Sequence, residues 1–250
     1  MSATDPKRIA VVIPALNEER AIRGVALSVL AISPNVIVVD DGSTDATCER
    51  IADLPITLIR HETSLGKGQG LRDGFRKARA QGFDAVITMD GDGQHLASDI
   101  PRMLAAAERY PEHLVIGARI RNRENQPKAR RRANDFADWG ISWGCGIPDA
   151  DTQSGQRYYP AAALDLADIP ADDFVFETAV LIAAARDRNV GIVSVPIESR
   201  YHGEFRSSHF RPIRDVSRIT WYTVKRIAAY GRIVDAYRRS HGSPPVICDP

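Results

Sequence analysis

The sequence predicts an α/β domain, a mostly parallel sheet flanked by helices, followed by an amphipathic C-terminal helix. Three observations predict it. Short apolar runs alternate with helix-periodic segments, the pattern of a parallel sheet with right-handed crossovers. Three of those runs end in polar segments, Pro14-Ala-Leu-Asn-Glu18, Asp40-Asp-Gly-Ser43 and Asp90-Gly-Asp92, which such a sheet gathers on one edge, where ligands bind. From Ile213 to Tyr237 apolar residues recur at three- and four-residue steps, one stripe of a helix.

The elements follow in order. Ile9 to Ile13 reads as a buried strand stopped by Pro14. Ile22, Val25, Ala26, Val29 and Leu30 mark the first helix, with Asn17 as a plausible N-cap. Val36 to Val39 is the second strand, and Ser43 or Thr44 can cap a helix over about 45–53. Ile56 to Ile59 is the third strand. Gly66-Lys67-Gly68 opens a helix through about residue 80, Asp84 to Met89 is the fourth strand, and Ile100 to Arg109 is a helix. Strands follow at Leu114–Ile116 and Val190–Val195, with an apolar helix over Ala179–Ala185 between them. Residues 1–212 form one expected domain, 213–241 the amphipathic helix and 242–250 a Pro-rich tail expected to be disordered.

Composition excludes several classes. Lys plus Arg is 33 against 32 Asp plus Glu, so no global field points to nucleic acid. Three widely spaced cysteines, Cys48, Cys145 and Cys248, form neither a metal-ligand pattern nor a disulfide framework, and a reducing cytosol is the expected compartment. The polar N-terminus does not read as a signal peptide. No window of about 18 apolar residues suggests a membrane-spanning helix.

Asp90 and Asp92 are the focus of the chemistry. Side chains at i and i+2 of an extended segment point the same way, so both carboxylates can converge at the strand end. Gly91 lets a ligand approach the backbone. Two hard oxygen ligands suit Mg²⁺ or Mn²⁺, and Gln94 could add a carbonyl oxygen. A polar turn is the competing reading. Gly66-Lys67-Gly68 is neither a Walker loop nor a dinucleotide fingerprint. It is a flexible helix entry, or Lys67 reaches a phosphate. Asp40 or Asp41 can accept from a base or ribose at the second strand end, and the sequence does not separate them.

Taken together, Ile13-Pro-Ala-Leu-Asn-Glu18, Val38-Val-Asp-Asp-Gly-Ser-Thr-Asp45, Gly66-Lys-Gly68 and Met89-Asp-Gly-Asp-Gly-Gln-His95 resemble family 2 glycosyltransferases of the nucleotide-diphospho-sugar, GT-A-like fold. Ile116-Gly-Ala-Arg119, Asp151-Thr-Gln-Ser-Gly-Gln-Arg157, Phe174-Val-Phe-Glu-Thr178 and Val195-Pro-Ile197 followed by Arg200 are similar to the dolichol-phosphate mannose synthase and polyprenyl-phosphate glycosyltransferase branch. The resemblance implies an inverting hexosyltransferase that takes mannose or glucose from a GDP- or UDP-linked donor. It implies a metal on Asp90, Asp92 and Gln94, with Asp92 also in the catalytic set. Pro14, Leu16, Glu18 and Gly91 match nucleotide contacts, although relatives usually carry an aromatic at the position of Leu16. Arg119, Arg130, Asn134 and Ser154 fall where the acceptor phosphate is held, and Arg200 and Arg206 where the donor diphosphate is closed over. A departing diphosphate gathers charge that a metal neutralises. A phosphate acceptor is already ionised near neutral pH, so Glu177 and Asp151 are needed as general base only for a hydroxyl acceptor. Glu177 is otherwise a helix N-terminal acid.

The run from Arg119 to Arg132 is strongly basic. It is a solvated face, or it folds over the site and reads phosphate. Residues 201–250 hold nine Lys/Arg against four Asp/Glu, with Trp221 and Tyr222, which suits a helix lying on an anionic membrane. Packing on its own domain or in a homodimer is the alternative. The expected enzyme is cytoplasmic and peripheral on the inner membrane face. Its rivals are a glycosyltransferase for a hydroxyl of another lipid or pigment-like acceptor, and a non-catalytic nucleotide-sugar-binding subunit.

Overall fold

A computed structural model describes residues 8–121, 128–198 and 212–250. Seven strands form one sheet: β1 (Ile9–Ala15), β2 (Val36–Asp40), β3 (Thr57–Arg60), β4 (Ala85–Thr88), β5 (Leu114–Ala118), β6 (Arg157–Tyr159) and β7 (Ile192–Pro196). Their order is β3-β2-β1-β4-β6-β5-β7, and every pairing is parallel except those of β6. All five residues of β2 and of β5 are buried, which explains unbroken apolar runs instead of alternation.

The pleat divides the core in two. Ala10, Val12, Ile37 and Val39 face one way, onto α2 (Lys67–Ala80) and α6 (Val175–Asp187). Ile9, Val11, Ile13 and Val38 face the other way, onto α1 (Ile22–Leu30) and α3 (Ile100–Arg109). Gly74 lets α2 lie close on β1, since a Cβ there would stand 2.4 Å from Val12 Cγ1. Residues Val175 to Ala185 of α6 are all buried, as a helix apolar all round must be. It packs on α4 (Lys128–Cys145), α7 (Pro212–Tyr230) and the short α5 (Ala161–Leu164), and α8 (Ile233–His241) packs on α4.

Several expectations need correction. Asn17 does not cap α1, whose N-cap is Ala21. Instead its side-chain oxygen accepts from Thr44 N–H at 2.8 Å, and its own N–H donates to Ser43 Oγ at 2.8 Å. This tertiary zipper ties the β1 and β2 exits together and takes both hydroxyls from the capping role. The helix expected over 45–53 is one 3-10 turn, Glu49–Ile51. The basic run continues into α4, which was not foreseen. The single C-terminal helix is two, broken at Gly231 (φ 62°) and Arg232 (φ 48°), left-handed positions that no helix continues through.

The tail is not disordered. Ser194 of β7 and Ile247 form a parallel bridge, Ser194 O accepts from Cys248 N–H at 2.9 Å, and Cys248 is buried. The three cysteines are all free and buried.

Candidate active site

The exits of β1, β2 and β4 meet at a cavity of about 330 Å³ lined by Pro14, Leu16, Glu18, Asp41, Gly91 and Asp92, with Lys67 and Asp90 beside them. Parallel strand ends bring these residues together although 78 positions separate Pro14 from Asp92.

The two strand-end acids of β2 part company. Asp40 is wholly buried, accepts from Ser43 N–H and Cys48 Sγ–H, and does not line the cavity. Asp41 lines it, yet its oxygens organise the following loop: they accept from Ser64 Oγ–H at 2.7 Å, Leu65 N–H at 2.8 Å and Gly66 N–H at 2.9 Å, and His61 Nδ1 lies at 2.8 Å. Asp40 is therefore corrected to a structural residue, because a carboxylate at its depth is turned to its own loop.

Asp90 and Asp92 have different surroundings. Asp90 Oδ1 stands 2.8 Å from Lys67 Nζ, and Oδ2 stands 3.6 Å from His95 Nε2. Burial opposes ionisation of Asp90, but the Lys67 ammonium and His95 override it and hold the carboxyl well below the usual range. Gly155 forms the wall behind it, since a Cβ there would lie 2.4 Å from Asp90 Oδ2. Thr88 Oγ–H fixes that wall by donating to Gly155 O at 2.7 Å. Asp92 Oδ1 accepts from Gln94 N–H at 2.9 Å, an Asx turn. Burial, and then the charge of Asp90, push the Asp92 carboxyl up. The turn and the metal readings thus coexist: the turn holds Asp92 on the cavity lining beside Asp90. That donor set fits a hard divalent ion on Asp90 and Asp92. Gln94 supplies its backbone to the turn and lies outside the cavity lining.

Lys67 begins α2 and also stands 3.1 Å from Glu177 Oε2. Burial works against the ammonium, but Asp90 and Glu177 more than offset it and raise its pKa above the ordinary value. Glu177, in the first turn of α6, is buried and bound to this lysine.

On the acceptor side two expectations fail together. Arg119 and Asp151 are 7% and 6% exposed, and the guanidinium grips both oxygens of the carboxylate. Arg119 also donates its backbone N–H to Asp151 Oδ2 at 2.9 Å. Burial of Asp151 is overcome by Arg119, which holds the carboxyl below its ordinary value. An acid so held is a poor base, and this arginine already has its anion. Ser154 is fully buried in a turn, its carbonyl accepting from Arg157 Nε–H at 2.7 Å and its Oγ from Gln156 N–H at 3.4 Å. Asn134 is half-buried on α4. The side chain of Arg130, and all of Arg200 and Arg206, lie outside the described residues.

The sequence reading missed the far wall: Asp173, Phe174, Arg214 and Asp215. Arg218 Nη1 holds Asp173 Oδ2 at 2.7 Å, so α7 closes one side of the cavity. The only signal was a charged pair, Arg214-Asp215, at the start of an otherwise apolar stripe.

The family model described as "Glycosyl transferase family 2" matches residues 10–162. The chain is 30% identical over 219 residues to a UDP-N-acetylglucosamine–dolichyl-phosphate N-acetylglucosaminyltransferase of Methanococcus voltae, covering 78% of this chain and 86% of that one. It is 32% identical over 182 residues to an undecaprenyl-phosphate mannosyltransferase of Micrococcus luteus, covering 65% and 70% respectively. A solved glucosyl-3-phosphoglycerate synthase from Mycobacterium tuberculosis, in complex with Mn²⁺, UDP and phosphoglyceric acid, aligns with a TM-score of 0.64 at 24% identity, over 92% of this chain and 80% of that one. This likeness concerns the fold, which is of the GT-A type.

Proposed function

Because the chain belongs to glycosyl transferase family 2 and is a glycosyltransferase, we propose that it moves a sugar from a nucleotide-diphosphate donor to a polyprenyl phosphate at a membrane surface. The observation that carries this is the Asp90/Asp92 pair on the lining of a strand-end cavity. The two relatives named for transfer to dolichyl and undecaprenyl phosphate support the acceptor class. The donor is a UDP- or GDP-linked hexose.

In this reading Pro14, Leu16 and Glu18 contact the nucleotide. Asp90 and Asp92 would hold Mg²⁺ or Mn²⁺, which when bound supplies Lewis-acid stabilisation of the leaving diphosphate. Lys67 adds a cation to the same region. An ionised phosphate attacks the anomeric carbon directly and inverts it. With Asp151 committed to Arg119, the arrangement suits an acceptor that needs no base. Arg119 and Asp151 instead stiffen the exit of β5, from which α4 is reached.

The surface supports a peripheral location. Phe136 is 54% exposed and stacks on Trp139 with centroids 5.8 Å apart, and Tyr237 adjoins Trp139. Trp221 and Val234 are 62% and 59% exposed. Aromatic and apolar groups set among basic residues fit a bilayer interface. Among the described residues no helix is long and apolar enough to cross a membrane.

The test is transfer from labelled UDP-N-acetylglucosamine, UDP-glucose and GDP-mannose to undecaprenyl or dolichyl phosphate with Mn²⁺. Acid-labile label in the organic phase is expected with one donor. Label that appears only on a water-soluble acceptor, with every lipid phosphate inert, would overturn the acceptor class.

A further inference from the structure

We propose that Lys67 competes with the divalent cation for Asp90, and that the donor diphosphate ends the competition by drawing the ammonium away, so that metal and donor load together. This rests on the proposed metal role of Asp90 and Asp92.

The geometry is specific. Lys67 Nζ stands 2.8 Å from Asp90 Oδ1 and 3.1 Å from Glu177 Oε2. The Phe174 ring covers it, with its centroid at 5.8 Å. The other oxygen of Asp90 faces His95 Nε2 at 3.6 Å and the Gly155 wall. The oxygen that faces the ammonium is therefore the one a dication would share with Lys67, while the other backs onto the Gly155 wall. Gly155 is backbone whose carbonyl accepts from Thr88, so it yields less readily than a side chain. His95 is 5% exposed and hemmed in. Lys67 can yield. Its side chain lines the cavity, and a lysine ammonium on a four-carbon stem turns readily about a fixed Cα.

That Cα is fixed. Gly66 at φ 92° precedes α2, and a Cβ on it would overlap Asp173 Oδ1 at 1.9 Å. Gly66 N–H donates to Asp41 Oδ2 at 2.9 Å and ties down the helix start, so the ammonium moves by side-chain rotation. Two carboxylates, Asp90 and Glu177, hold one ammonium. A dication and an ammonium both against Asp90 repel one another. A diphosphate gives the displaced ammonium an anion at least as strong as the one it leaves. Metal alone has to evict Lys67 without compensation, whereas metal with diphosphate does not.

The experiment measures Mn²⁺ binding to the full chain by electron paramagnetic resonance, alone and with UDP or GDP, for wild type, Lys67→Gln, Lys67→Arg and Asp92→Asn. In wild type the nucleoside diphosphate tightens Mn²⁺. In Lys67→Gln, Mn²⁺ alone binds about tenfold tighter than in wild type, equivalent to ~1.4 kcal/mol, and the gain from nucleotide shrinks by a similar factor. Lys67→Arg keeps the charge and stays near wild type, which separates loss of charge from loss of folding. If Lys67→Gln binds Mn²⁺ no more tightly than wild type while Asp92→Asn abolishes binding, the competition is refuted and the metal site stands. If Asp92→Asn leaves Mn²⁺ binding intact, or no variant binds, the metal reading falls and this inference falls with it.

Discussion

Arg119 and Asp151 meet through two nearly parallel hydrogen bonds, Nε to Oδ2 at 2.7 Å and Nη2 to Oδ1 at 2.8 Å. Both residues are buried. Removing one partner of such a pair strands a charge away from water, which costs about 3–5 kcal/mol. Arg119→Ala is therefore expected to lower the urea midpoint strongly, and Arg119→Met with Asp151→Leu to recover much of the loss. An Arg119→Ala variant of unchanged stability with only a raised KM for the lipid phosphate would return Arg119 to the acceptor.

Asp92→Asn keeps the shape of the turn and removes the charge. Turnover with Mn²⁺ is expected to fall by at least about a hundredfold, the scale of losing one preorganised electrostatic contact, with Tm nearly unchanged. Steady-state rates and calorimetry on the same preparation check both halves.

Gly155→Ala places a methyl 2.4 Å from Asp90 Oδ2. Either the carboxylate or the Gly155 strand entry must move. Overpacking of this kind costs roughly 1–3 kcal/mol, and the larger expected effect is on Mn²⁺ affinity, because Asp90 is the group displaced. Equal metal binding in Gly155→Ala and wild type would show that Asp90 tolerates a shifted position.

Stability should depend on pH through two acids near Asp151. Burial, then the charge of Asp151, push Asp138 up to about 7, and burial pushes Asp149 up to about 6. An acid raised in the folded state holds its proton while the unfolded chain, near 3.9, has released it. Folding stability is then present below about pH 4 and is lost as pH rises toward 7. Asp151, held low by Arg119, acts oppositely and loses its contribution as pH falls below about 4. Asp138→Asn can still accept from Thr152 N–H and Oγ–H. It is expected to match wild type near pH 4 and exceed it at pH 8 by on the order of 4 kcal/mol. Parallel denaturation curves at the two pH values would refute this.

Truncation after Gly242 removes the strand-like tail. Asp249 pairs with Arg102 and Arg121 at the surface, contacts worth little alone. Cys248 is buried and its N–H pairs with Ser194 O, so the loss should come from exposing the β7 edge, about 1–3 kcal/mol. Faster amide exchange confined to β7 would locate it.

The sequence revealed the sheet where burial is two-sided. Val36–Asp40 and Ala85–Thr88 are apolar because both faces are covered, so their limits and acidic exits are readable. It failed where tertiary partners override local chemistry. Asn17 looks like a cap, but Ser43 and Thr44 outbid α1 for it. Arg157-Tyr-Tyr159 was missed as a strand, since an arginine 2% exposed is tolerated only because carbonyls of Thr152, Ser154 and Glu177 surround it. The α7–α8 break was hidden because apolar steps continue across Gly231-Arg232. That Asp90 and Asp92 share a strand exit was legible from spacing, which by itself left the metal and turn readings open. Arg119 and Asp151 were legible as important but not as each other's partner, because 32 residues separate them.

Among the described residues, the three of β6 are the only strand joining β4 to β5, antiparallel to both. The first four strands can pair as soon as residue 88 is available, whereas β5 and β7, which pair with each other, join them only through Arg157–Tyr159. Assembly should therefore be ordered in time, with closure across β6 as the late, long-range step. Pulsed hydrogen exchange during refolding is expected to protect Val36–Asp40 before Tyr158, and simultaneous protection would mean that the two halves condense as one.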